Sequence, residues 1–210
     1  MYRIIRFLIF PVFWIVYKLR FKETPGDFYE KIGRPTRDRP NGDIIWIHSD
    51  KRTEAVEIIR SVMNAIPHAR ILQTYNIPDG PSINNVIGQL SPLDSPIVVK
   101  QFLQFWEPLM AITTGSEIRP IQLYTLKKYN IPSFLINAQM PKPTYRHWKW
   151  IRYFARKTIS NLTFVWARDN EQTLRFANLG ASYIESESIM EEQTYLSEII
   201  QKMQNMCPDE

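Results

Sequence analysis

From Gly42 onward, short apolar runs alternate with longer amphipathic stretches, and this alternation restricts the fold more than any other feature. Residues 44–48, 70–75, 109–113, 134–138, 163–167 and 182–185 read as strands. Residues 54–65, 95–106, 118–129, 144–159 and 169–179 read as helices, the last closed by Gly180. The stretch 76–93, with Pro78, Gly80, Pro81 and Pro92, reads as loop, and 190–206 as a polar terminal helix. Strands alternating with helices of this length imply βαβ units. The expected class is therefore α/β, with a mostly parallel sheet flanked by helices.

Several chemistries are excluded early. None of the seven glycines forms a G-x-G-x-x-G or a P-loop, so no phosphate-cradling turn is evident. His48, His68 and His147 are scattered and Cys207 is the single cysteine, so no metal site is expected and no intrachain disulfide can form. The net charge of +5 is carried by the first 40 residues, with nine Lys/Arg against four Asp/Glu; the remainder is balanced. A neutral domain behind a basic leader argues against a nucleic-acid surface and for an anionic membrane.

That leader has a defined pattern. Phe7 to Tyr17 is almost wholly apolar, with Arg3 and Arg6 before it and Lys18, Arg20 and Lys22 after it. Eleven residues fall short of the ~20 needed to span a bilayer, and Pro11 would kink a helix. The segment reads as a membrane-interface helix over residues 1–21, with aromatics such as Trp14 at the boundary and Arg3, Arg6, Lys18 and Arg20 on headgroups. A core helix or a tilted span are the alternatives. Residues 22–41 read as linker with a short helix, 42–185 as the folded domain, and 186–210 as the polar C-terminal segment.

Two further places could carry chemistry. Glu54 follows a strand and opens a helix, at a strand's carboxyl end where α/β proteins bind ligands. It could act as a general base or simply complement a helix dipole. Residues 142–157 interleave Lys142, Arg146, Lys149, Arg152, Arg156 and Lys157 with aromatics. At helical spacing the cations share one face, while Trp148, Ile151 and Ala155 share another that should pack on the sheet. The cationic face could hold lipid phosphates through Arg146 and Lys149, or be solvated. His48 ends a strand and reads as a structural hydrogen-bonding group.

Six pieces in order resemble the N-terminal domain of the lipopolysaccharide Kdo (3-deoxy-manno-octulosonic acid) transferases. They are Lys22–Gly26 with Glu30–Arg34; Trp46-Ile47-His48 followed by Glu54; Pro92–Pro96; Ser116–Pro120; Leu135–Gln139; and Phe176–Ala181. The resemblance implies a Rossmann-like lobe, half of a GT-B fold, that binds a lipid acceptor at the cytoplasmic face of the bacterial inner membrane. It implies Glu54 as general base on the acceptor hydroxyl. Glu117, Ser116, Arg119, Asn137, Gln139, Lys51 and Arg52 would bind the acceptor, the last two through a phosphate. It implies no cofactor, with CMP-Kdo as donor substrate. Partners would be lipid A precursor or membrane lipid, and a separate donor-lobe chain or a full-length transferase, because the second lobe looks absent.

Departures from the family pattern are also expected to matter. Thr53 stands where the family has Gly, and a positive φ there would be strained. Gly115 replaces an acid, Arg119 a Trp and Gln139 an Arg. Glu117 could equally be a helix-terminal acid beside Ser116. Two functions follow: a Kdo-transferase-like acceptor domain, or a non-catalytic homologue that binds lipid A precursor or a partner enzyme as scaffold.

Overall fold

A computed structural model describes residues 25–186 together with residue 201. The apolar leader with Arg3, Arg6, Trp14, Lys18 and Arg20, and the terminal helix expected over 190–206, lie outside these residues apart from residue 201. Among the described residues no helix is long and apolar enough to cross a membrane.

The elements run α1 (Pro25–Lys31), β1 (Ile44–Lys51), a 3-10 turn (Arg52–Ala55), α2 (Val56–Ala65), β2 (Arg70–Ile77), β3 (Val86–Leu90), α3 (Pro96–Trp106), β4 (Met110–Thr114), α4 (Pro120–Lys128), β5 (Ser133–Ala138), α5 (Lys142–Trp150), α6 (Arg152–Ile159), β6 (Phe164–Ala167), α7 (Asn170–Asn178) and β7 (Ile184–Ser186). The strands form one sheet in the order β3-β2-β1-β4-β5-β6-β7. Every pairing is parallel.

Strand alternation divides the core between the two faces. Ile45 and Ile47 join Ile58, Ile59 and Val62 of α2 on one face. Ile44 and Trp46 join Val99, Phe102 and Trp106 of α3 and Leu126 of α4 on the other. Leu135 and Val165 continue that second face under Ala155, Ile159 and Phe176 of α6 and α7. Right-handed crossovers require this division. The chain winds from β1 to β2 in one direction and, after β3, from β4 to β7 in the other. The direction reverses between β1 and β4, which are neighbours through Ile45–His48 and Met110–Thr113.

Three local expectations are corrected. The stretch 76–93 is not all loop; its second half is the edge strand β3, whose VIGQL has only five residues between turn formers. The helix expected from residue 54 begins two residues later, after the 3-10 turn. The helix expected over 144–159 breaks at Ile151, whose φ of −102° and ψ of 42° leave the helical region. Ile151 is consequently 40% exposed instead of packing on the sheet, while Trp148 and Ala155 keep their contact with the core.

Residues 25–34, within the segment expected to be linker, are tied to the domain. The Glu30 carboxylate accepts the Leu90 backbone N–H at 2.6 Å, and Leu93 N–H donates to the Lys31 carbonyl at 2.8 Å. Gly33, at φ +79°, lies so close to α3 that an added Cβ would meet the Val98 carbonyl oxygen at 2.5 Å.

Candidate functional site

The side chains of Trp46 and His48 leave β1 on the α3 side and start a continuous hydrogen-bond chain. The Trp46 indole donates to Thr74 Oγ1 at 2.8 Å. Thr74 Oγ1 lies 3.0 Å from His48 Nδ1, and His48 Nε2 lies 2.9 Å from Glu117 Oε2. The Thr74 hydroxyl accepts from the indole, and Nε2 is the ring nitrogen that faces the carboxylate. The Thr74 carbonyl, 3.1 Å from Nδ1, is the other neighbour of that nitrogen. Buried polar groups are paired along the whole path from core to site, as burial demands.

Glu117 is where this chain ends and three donors converge. Besides His48, Asn76 Nδ2 donates to Oε2 at 2.8 Å, and Arg119 Nε contacts Oε1 at 3.0 Å. The same Asn76 amide donates to Asp50 at 2.9 Å. Burial by itself pushes the Glu117 carboxyl up. The hydrogen bond and charge of His48, the Arg119 guanidinium and the Asn76 amide outweigh it and hold the group at about 2. Glu117 is therefore ionised at neutral pH. It can anchor donors, and its lowered value makes it a weaker base than an ordinary carboxylate.

The Pro92–Pro96 and Ser116–Pro120 turns interlock. Asp94 accepts the backbone N–H groups of Ile121 and Gln122 at 3.1 and 2.7 Å, capping α4 from another loop. Arg119 answers by donating to Ser91 Oγ and, at 2.8 Å, to the Pro92 carbonyl. Glu117 thus precedes α4 and is not an acid of its first turn; the N-cap is Arg119. Ser116 is exposed at the crest of this loop. Arg119 is largely buried and spends its donors within the protein.

On the α2 side, Glu54 occupies the 3-10 turn and is exposed. Its carboxylate has no hydrogen-bond or ion-pair partner among the described residues. The turn itself is fastened. Thr53 donates its N–H and hydroxyl to the two oxygens of Asp79, at 3.1 and 2.7 Å. Arg52 donates to Tyr75 Oη at 2.7 Å and the Gly80 carbonyl at 2.9 Å, and its guanidinium lies 4.4 Å from the centre of the Tyr75 ring. Thr53 is not among the residues with positive φ, so the strain expected at this substitution does not arise. Lys51 is exposed beside it.

Between these loops lies the crevice where the winding reverses. The Ser49 and Thr114 hydroxyls, at the carboxyl ends of neighbouring strands, are buried without a hydrogen-bond partner among the described residues. Gly115, at φ +81°, has nothing within 4 Å of where a Cβ would stand. At the end of β5, Asn137 adopts φ +49° where the pairing with β6 shifts register. Its exposed side chain accepts from Gln139 Nε2 at 3.3 Å, and Gln139 Oε1 accepts from Arg168 at the same distance. Glu54, Lys51, Ser116, Asn137 and Gln139 thus sit on loops or strand ends at one edge of the sheet. Arg146 and Lys149 belong to α5 and its outer surface. Asn76 at the end of β2, Asp79 in the β2–β3 loop and Arg168 just after β6 join the site, and no local sequence signal marks them because their partners come from other strands and loops. Among the described residues no three His, Cys, Asp or Glu side chains could hold a metal ion.

This is a doubly wound, Rossmann-like α/β lobe with a polar crevice at its switch point. Residues 26–189 match the family model of 3-deoxy-D-manno-octulosonic-acid transferase (kdotransferase), and the chain belongs to that family. It is similar to a probable mitochondrial 3-deoxy-D-manno-octulosonic acid transferase of Arabidopsis thaliana, 27% identical over 70% of this chain and 36% of the relative. The corresponding transferase of Rickettsia bellii is 25% identical over 87% of this chain and 46% of its own length. That of Haemophilus influenzae is 25% identical over 77% and 39%. The chain spans less than half the length of these curated relatives.

Proposed function

We propose that this lobe binds the lipid acceptor of a Kdo transfer at the crevice between β1 and β4, with Glu54 as the general base. The observation that carries the reading is the contrast between two acids. Glu117 is held at about 2 by His48, Arg119 and Asn76, whereas the Glu54 carboxylate is exposed and engages none of the described residues. Paired acids in divergent environments mark a division of roles. Glu117 would orient acceptor hydroxyls through its ordered neighbours, and Glu54 would take the proton as the acceptor oxygen attacks the sugar. CMP-Kdo would be the donor substrate, held by a second lobe supplied by another chain or by a longer form of this one. Ser116, Asn137, Gln139 and Lys51 would line the acceptor, which would reach them from the cytoplasmic face of a bacterial inner membrane.

A second reading has a specific observation behind it. Arg52 is engaged by Tyr75 and Gly80, and the turn before Glu54 is fastened to Asp79. A turn so fixed suits a scaffold that holds lipid A precursor or a partner enzyme without turnover. The deciding experiment is Kdo transfer from CMP-Kdo to lipid A precursor in detergent micelles, supplemented with a full-length transferase's donor lobe, for wild type and Glu54→Gln. Transfer lost in the variant supports the catalytic reading. Binding of the precursor without transfer supports the scaffold, and neither binding nor transfer overturns both.

A further inference from the structure

The outer surface of α5 and α6 has a composition that the crevice does not explain. Trp150 is 88% and Tyr153 83% exposed, with Phe154 and Ile151 beside them at 48% and 40%. Large apolar side chains are rarely left this open in a cluster without a partner. The cluster lies among Lys142, Arg146, Lys149, Arg152, Arg156 and Lys157, all exposed, and none forms an ion pair among the described residues. Residues 140–168 contain no Asp or Glu. The apolar surface continues into a groove of about 930 Å³ between α3, α4 and α6, whose lining includes Ile97, Tyr124 and Phe154 with Lys100, Lys128 and Lys157 and no acid.

We propose that this face docks on an anionic lipid surface, with Trp150 and Tyr153 seated at headgroup level and the surrounding cations on lipid phosphates. Charge complementarity selects the occupant. An acid-free field of six cations repels other basic surfaces and attracts a sheet of phosphates, and Trp and Tyr favour the membrane–water boundary because one end of the ring system is apolar and the other polar. Long Lys and Arg stems lie along apolar surface while their heads reach phosphate. The break at Ile151 turns a branched apolar residue outward between two aromatics, which widens the inserting surface. The placement also suits the crevice: α5 begins at Lys142, three residues beyond Gln139. This contact does not depend on whether transfer occurs.

The test uses the whole chain with Cys207→Ser and Trp150→Cys, carrying an environment-sensitive fluorophore at position 150. A second labelled protein, Glu57→Cys, places the probe on α2, across the sheet. On vesicles of phosphatidylglycerol and phosphatidylethanolamine, the probe at 150 should shift to the blue and brighten several-fold, while the probe at 57 stays aqueous. Lys149→Glu with Lys157→Glu should weaken the response at 150 by roughly fivefold or more per cation. A probe at 150 that stays aqueous while the chain sediments with vesicles would overturn the proposal. So would a response of equal size on pure phosphatidylcholine, or a chain that does not sediment with vesicles at all.

Discussion

Asp79 holds Thr53 at two points, one oxygen on its N–H and the other on its hydroxyl. The pair fastens the β2–β3 loop to the turn that presents Glu54. Gly80 completes it, because a Cβ there would stand 2.7 Å from Thr53 Cγ2. The Thr53 hydroxyl, foremost, and nearby backbone N–H groups hold the Asp79 carboxyl below its usual range. The folded value is depressed, so the clamp is present above the ordinary carboxylate range and is lost only as pH falls through the lower folded value. Asp79→Ala should speed amide exchange at Thr53 and Glu54 by roughly tenfold or more while leaving β1 protected, because turns open locally without global unfolding. Hydrogen exchange read by mass spectrometry checks this; unchanged protection at 52–55 would refute the clamp.

Glu117 sets the acid limb of stability. Its folded value of about 2 lies below the ordinary 4.5. The stabilisation it contributes is therefore complete above pH 4.5 and is lost as pH falls from there toward 2. With the side chain 26% exposed, the contribution is roughly 3 kcal/mol at neutral pH. Urea unfolding between pH 7 and pH 2 should show this loss in the wild type. Glu117→Gln should flatten that part of the curve.

The α4 cap gives a sharper sequence-to-structure test. Asp94 lies in the β3–α3 loop yet caps α4 with both carboxylate oxygens, so Asp94→Ala should cost about 1–2 kcal/mol and Asp94→Asn, which keeps one acceptor, roughly half of that. Thermal unfolding distinguishes the two. Equal losses would mean that one acceptor alone does not cap the helix.

Glycine substitutions separate strain from crowding. Gly42 and Gly33 both have positive φ, +99° and +79°, but only Gly33 faces backbone. Gly42→Ala should cost about 1–2 kcal/mol, the penalty of an L residue in the left-handed region. Gly33→Ala should cost clearly more, because the Val98 carbonyl blocks the new methyl. Matched melts of the two variants decide it.

Much of this architecture is legible in the chain because apolar runs such as Ile44–Ile47 can only be strands buried on both sides. β3 is not, since VIGQL is short and flanked by turn residues that dominate the local pattern. The break at Ile151 has no Gly or Pro to announce it. Within the crevice, Glu54 and Glu117 are visible as acids at strand ends. Their difference is not, because it depends on His48, Asn76 and Arg119, which are brought to Glu117 from β1, β2 and the α4 turn. Asp94 is legible as a turn residue, but its partners belong to a helix more than twenty positions away.

That difference yields a direct stability contrast between the two acids. Glu54 has no side-chain partner among the described residues, so Glu54→Gln should leave unfolding free energy within about 0.5 kcal/mol of wild type, as for surface substitutions generally. Glu117→Gln keeps the size of the side chain but removes the charge that His48 and Arg119 face. Turning one carboxylate oxygen into an amide NH2 leaves part of this donor set without an acceptor, which should cost about 2–3 kcal/mol. Denaturant unfolding at pH 7 reads both. If Glu54→Gln destabilises as strongly as Glu117→Gln, its carboxylate is a structural group and the division of roles between the two acids fails. If only Glu117→Gln destabilises, any loss of transfer in Glu54→Gln is a loss of chemistry and not of fold.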